Sequence, residues 1–148
     1  MNMQEKIKPT GLVTVVHTLA DGSKKEFTVP NLVTTVGKQH IASKIAATTN
    51  SPVSMTHMAI GTGTTAAAVG DTALVTQGGI VSLSATTVST NTITYTATFP
   101  AGTGTGAVTE AGVFNASSAG TMLCRTTFPA VNKASGDSIA ITWVVTVS

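Results

Sequence analysis

Residues 93–99 read ITYTATF. Ile93, Tyr95, Ala97 and Phe99 alternate with Thr94, Thr96 and Thr98. A period of two puts apolar side chains on one face and hydroxyls on the other, as in a strand that covers a core on one side. The closing run repeats the pattern: Ile139, Ile141, Trp143, Val145 and Val147 share a face, with Ala140, Thr142, Val144 and Thr146 opposite. Upstream, residues 12–19 and 24–29 flank Asp21-Gly22, a strong hairpin signal. Residues 53–60, 80–88, 107–115 and 121–128 also read as strands, the last two joined by the turn-rich stretch 117–120. Helix signals are few. Residues 36–47 carry Ile41, Ala42, Ile45 and Ala46 at helical spacing behind Thr34 or Thr35 as a cap. Residues 71–77 read as a short helical turn. About eight strands at short intervals, with one short helix, predict a mainly β single domain. The expected architecture is an antiparallel β-sandwich, jelly-roll-like, over residues 11–148, with residues 1–10 as an N-terminal arm.

Composition narrows the function. The 148 residues suffice for one core, yet only 9% are charged, against roughly 25% in an average soluble domain. About a fifth are Thr, which is β-branched and favours strands. A surface covered by hydroxyls rather than charges suits packing against other molecules, although any small β-protein with a Thr-rich face shares this composition. The net charge is +2, and no basic stripe interleaves with aromatics, so nucleic acid is not an expected partner. The lysines cluster early, at Lys6, Lys8, Lys24, Lys25, Lys38 and Lys44, as a solvated edge or a binding patch. Cys124 is the only cysteine, which excludes an intrachain disulfide, and its neighbours Met122 and Leu123 suggest a buried, structural thiol. The opening MNMQEKIKPT lacks the apolar core of a secretory signal. No stretch approaches the ~18 apolar residues of a membrane helix. The expectation is a protein made soluble in a cytoplasm, with no membrane partner.

Residues 61–66, GTGTTA, match the G-x-G-x-x-G/A phosphate-cradling loop. Their context is wrong for it. Gly70 interrupts any helix that would present its N-terminus to a pyrophosphate, and no acid occurs from Thr72 to Thr109 to hold a ribose. Gly61 and Gly63 therefore read as turn glycines that permit positive φ. GTGTG at residues 102–106 reads as a similar turn. His17, His40 and His57 show no zinc spacing, and Cys124 has no CxxC partner. His17 and His57 fall in expected strands, where surface or interface positions are usual. No nucleophile–base–acid constellation is visible. The expectation is no enzyme, no catalytic residue, no metal and no cofactor. One pair of charges stands out: Glu110 and Arg125 lie on the two arms of a hairpin, one diagonal cross-strand step apart. They read as a structural ion pair fixing register, with a partner contact through Arg125 as the other reading.

The second half carries TEAGVF at residues 109–114, GTMLCR at 120–125, FPAVNK at 128–133 and a closing ITWVVTVS. Upstream stand NLVTTVGKQHIASKI at residues 31–45 and MAIGTGTT at 58–65. As a set, these resemble a group of small virion proteins of tailed bacteriophages, variously labelled tail-fibre, collar or structural proteins, and similar to capsid cement or decoration proteins. The resemblance implies a non-enzymatic virion component. The cement role is favoured because one compact domain without a heptad shaft suits a protein bound to the outer capsid. Its partners would be the major capsid protein and copies of itself, as dimer or trimer. A tail, collar or fibre role is the alternative. Met1, Gln4, Lys6 and Lys8, in the polar N-terminal segment, are candidate partner contacts. A carbohydrate-binding module is a remote third reading, since it needs exposed aromatic platforms such as Trp143 or Tyr95.

Overall fold

In a computed structural model, residue 6 and residues 8–46 and 51–148 are described. The chain forms β1 Pro9–Thr18, β2 Lys24–Val33, α1 Thr35–Ala46, β3 His57–Gly61, β4 Gln77–Ser82, β5 Ala85–Ser89, β6 Thr92–Phe99, β7 Gly106–Phe114, β8 Met122–Lys133 and β9 Ser138–Val147. The nine strands make one antiparallel curled sheet in the order β4-β3-β7-β8-β2-β1-β9-β6-β5. β2 belongs to both halves. Residues 24–31 pair with β1, and Leu32 and Val33 pair with β8. The sheet thereby folds on itself into two layers, β5-β6-β9-β1-β2 and β2-β8-β7-β3-β4. Between them lie the alternating apolar residues of the sequence, among them Val13, Val15, Phe99, Ile139, Ile141, Trp143 and Val145. The expected sandwich is the fold observed.

Several local expectations change. The β1–β2 connection is a three-residue loop: Gly22 N–H donates to Leu19 O, Leu19 N–H donates to Ser23 O, and Gly22 takes a φ of 88°. This is a turn through Ala20 and Asp21 followed by a left-handed glycine. Asp21 Oδ1 accepts from Ser23 N–H and Oγ–H, at 2.8 and 2.6 Å. The run 80–88 is two strands, bent at Leu83-Ser84. There Leu83 N–H is taken by Thr56 O and Ser84 N–H by Thr96 O, so one segment supplies both outer edges of the sheet. β3 starts only at His57, because the stretch before it is engaged singly, as in Thr56 N–H to Phe114 O, and no ladder runs through it. Residues 71–77 form no helix. Their N–H groups at Val75 and Thr76 are drawn to Glu110 instead. Pro9 and Thr10, assigned above to the arm, pair with Val147 and Thr146 in the β1–β9 ladder.

The helix begins one residue before its expected start. Thr34 caps it: its Oγ1 accepts from Gly37 N–H at 3.0 Å and donates to Met122 O at 2.8 Å. The same hydroxyl thus satisfies a helix-end donor and ties α1 to β8. Thr34→Ala is expected to cost about 1–2 kcal/mol in urea unfolding, the range for a cap with a second buried bond. An unchanged midpoint would refute the double role.

Candidate functional site

Every residue of β7 from Val108 to Phe114 is buried. A strand in a two-layer sandwich is normally covered on one face only, so something must cover the other. Val108, Ala111 and Val113 face the main core. The ladder to β8 slips between Val108 and Glu110, where the partner jumps from Val131 to Thr127. This irregularity turns Glu110, Gly112 and Phe114 outward, as bulges do. Over them lies the connection between β3 and β4. Leu74 from that connection joins Ala59, Phe114 and Met122 in a second, smaller core.

Beside this small core sits a buried charge cluster. Glu110 has no exposed surface and Arg125 is 1% exposed. Gly112 is the cross-strand partner of Arg125, so the two side chains meet on the diagonal. Arg125 Nε and Nη2 donate to Glu110 Oε2 at 3.1 and 2.9 Å. Nη2 also donates to Thr65 O, and Nη1 to Asp71 Oδ2, both at 2.8 Å. Glu110 Oε1 accepts from Gly63 N–H and Thr76 N–H at 3.0 and 2.8 Å, and Oε2 from Val75 N–H at 3.0 Å. Thr109 Oγ1 donates to Gly63 O at 2.6 Å. The glycine-rich loop does present N–H groups to an anion, and the anion is the chain's own Glu110.

The glycines of that loop are there for space. Neither Gly61 nor Gly63 has a left-handed φ, contrary to the turn expectation, whereas Gly102, Gly104 and Gly106 do. The two Gly-Thr loops are therefore different structures. A Cβ on Gly61 would stand 2.6 Å from Glu110 Oε1, and one on Gly63 would stand 2.5 Å from the same atom. The carboxylate, joined at Gly61 by the still closer Thr76 carbonyl oxygen and at Gly63 by Val75, occupies the place a side chain would need.

Burial pushes the Glu110 carboxyl up, but the N–H groups of Thr76 and Val75, the Arg125 guanidinium and Gly63 more than offset it, and the net direction is down. Both Glu110 oxygens and four of the five Arg125 N–H donors are engaged within the chain. The cluster can hold a loop on a sheet. Sequence reasoning reached Glu110 and Arg125 but missed Asp71 and the three loop N–H groups.

A second buried pair was also missed. His17 is buried, not superficial: its Nε2 lies 2.9 Å from Asp137 Oδ2, and Asp137 further accepts from Ala20 and Ala134 N–H at 3.0 and 2.9 Å. The bond from His17, then that from Ala134, holds the Asp137 carboxyl below its usual value. His40 is buried with Nδ1 unpartnered, and burial, aided by Lys44, pushes its imidazole down.

These directions predict an acid profile. His40 holds its proton less well folded than unfolded, so stability falls as pH drops below about 6.5. Glu110 and Asp137 are depressed carboxyls. Their contribution is complete above about pH 5 and is lost as pH falls through their folded values. The urea midpoint should decline gently around pH 6.5 and steeply below about 4.5. His40→Gln should remove only the upper step. A variant profile superimposable on the parent's between pH 7 and 5 would disprove the His40 assignment.

Cys124 is buried and its thiol is pushed up by burial. Tyr95 is 7% exposed, its hydroxyl pushed by burial to about 12, and Trp143 is 0% exposed. Neither offers a face on which a sugar could stack. His57 bonds to Thr56 Oγ1 at 2.8 Å. Among the described residues no group of His, Cys, Asp and Glu could hold a metal ion, and no helix is long and apolar enough to cross a membrane. Lys6 and Lys8 are exposed, and the Lys8 N–H donates to Ser148 O at 2.6 Å, continuing the β1–β9 ladder. Met1 and Gln4 lie outside the described residues.

Neither the curated proteins nor the solved structures give a match. The family model for the phage tail-collar fibre protein, N-terminal, matches residues 25–147, from the start of β2 through β9. With that model covering most of the sandwich, the chain belongs to the phage tail-collar fibre protein N-terminal family and is a structural component of a phage virion.

Proposed function

We propose that the protein is a non-enzymatic tail component, placed where a fibre meets the tail collar, and that it binds neighbouring tail chains and copies of itself through its uncharged, hydroxyl-rich faces. The observation that carries this is the family match over residues 25–147. The clamped β3–β4 connection supports it, because a rigid outer face keeps its shape under mechanical load. The cement role drew on the lack of a shaft in this chain, and the length of one domain does not bear on what other chains or segments build. Lys6 and Lys8, with Met1 and Gln4, are proposed as contacts to a neighbouring chain.

Antibody labelling of intact particles by electron microscopy tests the location. Label at the tail–fibre junction is expected. Label distributed over the capsid lattice would overturn the tail reading in favour of a cement protein on the major capsid protein. Deleting residues 1–7 is expected to leave the melting temperature unchanged and abolish incorporation into particles. Normal incorporation of the truncated chain would reject the arm.

A further inference from the structure

From Thr72 to Thr109 the chain contains no Asp, Glu, Lys, Arg or His. This stretch is β4, β5, β6 and the start of β7, so these strands carry no charged side chain. Lys24, Lys25, Glu26, Lys38 and Lys44, all exposed, lie on the β1–β2 hairpin and on α1. Both free edges of the sheet, β4 and β5, fall in the uncharged part. They are not equivalent. The turn at residues 102–106 lies against β4, where a Cβ on Gly79 would come within 3.0 Å of Gly104 N. β5 has no such cover, and all five of its residues are exposed. Natural edge strands are usually guarded by lysine, proline, a bulge or an inward charge. The sequence ATTVS has none of these, and its pairing with β6 runs without a bulge.

The hairpin fixes which backbone groups are open. Ser89 and Thr92 close a two-residue turn and exchange their hydrogen bonds. Alternation then directs the N–H and C=O of Thr86 and Val88 away from β6. Thr86 and Val88 stand opposite Tyr95 and Ile93, on the core-facing side of the layer. Val88 is nevertheless 70% exposed, so β5 overhangs the core and carries an apolar side chain that nothing among the described residues covers.

We infer that β5 is a self-pairing edge: the β5 strands of two copies add antiparallel about a two-fold axis at Thr87, joining two sandwiches into a continuous sheet. The absence of charge selects this occupant. A copy meets an edge with no like charge to repel it, while a partner recognised electrostatically would find nothing to read. About Thr87, the open groups of Thr86 in one copy face those of Val88 in the other. Five residues per copy bury less than the roughly 1,200–2,000 Å² of a stable interface, so the pair is weak alone and is strengthened when copies are held at high local concentration. The inference deepens the self-association part of the function proposed above and is independent of where on the virion the protein sits.

The test uses the isolated full chain, so that its failure is distinct from a failure of the tail location. At the two-fold, residue 87 faces its own copy as a non-hydrogen-bonded pair with Cα atoms about 4.5 Å apart, within disulfide range. Because Cys124 is buried, Thr87→Cys introduces an accessible thiol. Under mild oxidation it is expected to form a covalent dimer at least about tenfold faster than Ser118→Cys, a cysteine at an exposed turn away from the edge. Adding Thr86→Lys and Val88→Lys, which place like charges across the axis, should remove that advantage without lowering the melting temperature. Equal cross-linking rates at positions 87 and 118, or a rate at 87 indifferent to the lysines, would overturn the self-pairing edge.

Discussion

Arg125→Ala is expected to destabilise the protein by about 3–5 kcal/mol, the loss found when one partner of a buried ion pair is removed. The reason is what remains. Glu110 has no exposed surface and would keep its charge against a void where the guanidinium stood. Thr65 O and Asp71 Oδ2 would lose their donor as well. Arg125→Lys should recover little, because one ammonium cannot reach Glu110, Asp71 and Thr65 with the geometry of a planar fork. The damage should start locally. Residues 62–76 are held to β7 by Glu110 and to β8 by Arg125, with little regular structure of their own, so limited proteolysis should cut there before the sandwich unfolds. Equilibrium denaturation and protease mapping of the variant check both parts. A parent-like midpoint would mean that the pair contributes no more than an exposed one, about 0–1 kcal/mol.

The sandwich was readable because its signal is local. Each strand carries its period of two, and Ile93–Phe99 and Ile139–Val145 align across the β6–β9 ladder residue for residue. Glu110 and Arg125 were readable for the same reason: one hairpin, a short turn, and a lone charge on each arm. What was not readable depends on distance. Asp71 reaches Arg125, and Asp137 reaches His17 across 120 positions. Nothing in the run 62–76, which has no periodicity, says that its N–H groups converge on a carboxylate. The bend at Leu83-Ser84 was hidden too, because no Gly or Pro marks it. It is set by Thr56 and Thr96, whose carbonyls take the two N–H groups. The glycine loop failed differently. A glycine needed for positive φ and a glycine needed for room look the same in sequence, and only the position of Glu110 separates them.

That separation can be measured. Gly61→Ala is expected to cost about 3 kcal/mol or more, and Gly70→Ala, in the same loop, almost nothing or a gain of about 0.4–1 kcal/mol. At Gly61 the new methyl would stand 2.6 Å from Glu110 Oε1 and 2.9 Å from the carbonyl carbon of Thr76. Neither can yield cheaply. The Thr76 carbonyl accepts from Thr62 N–H at 2.9 Å, and its N–H donates to Glu110 at 2.8 Å. Moving the backbone costs about 1–3 kcal/mol, and each hydrogen bond lost from the buried carboxylate adds about 1.5–3 kcal/mol. At Gly70 a Cβ meets nothing within 4 Å and φ is not left-handed, so alanine there mainly restricts the unfolded chain. Urea midpoints for the two variants decide the matter. A large gap between them ties the glycine of GTGTTA to the Thr76 carbonyl and the Glu110 carboxylate packed against it. Equal midpoints would mean that Glu110 and Thr76 relax away from a side chain at position 61, and that the loop is held less firmly than its hydrogen bonds imply.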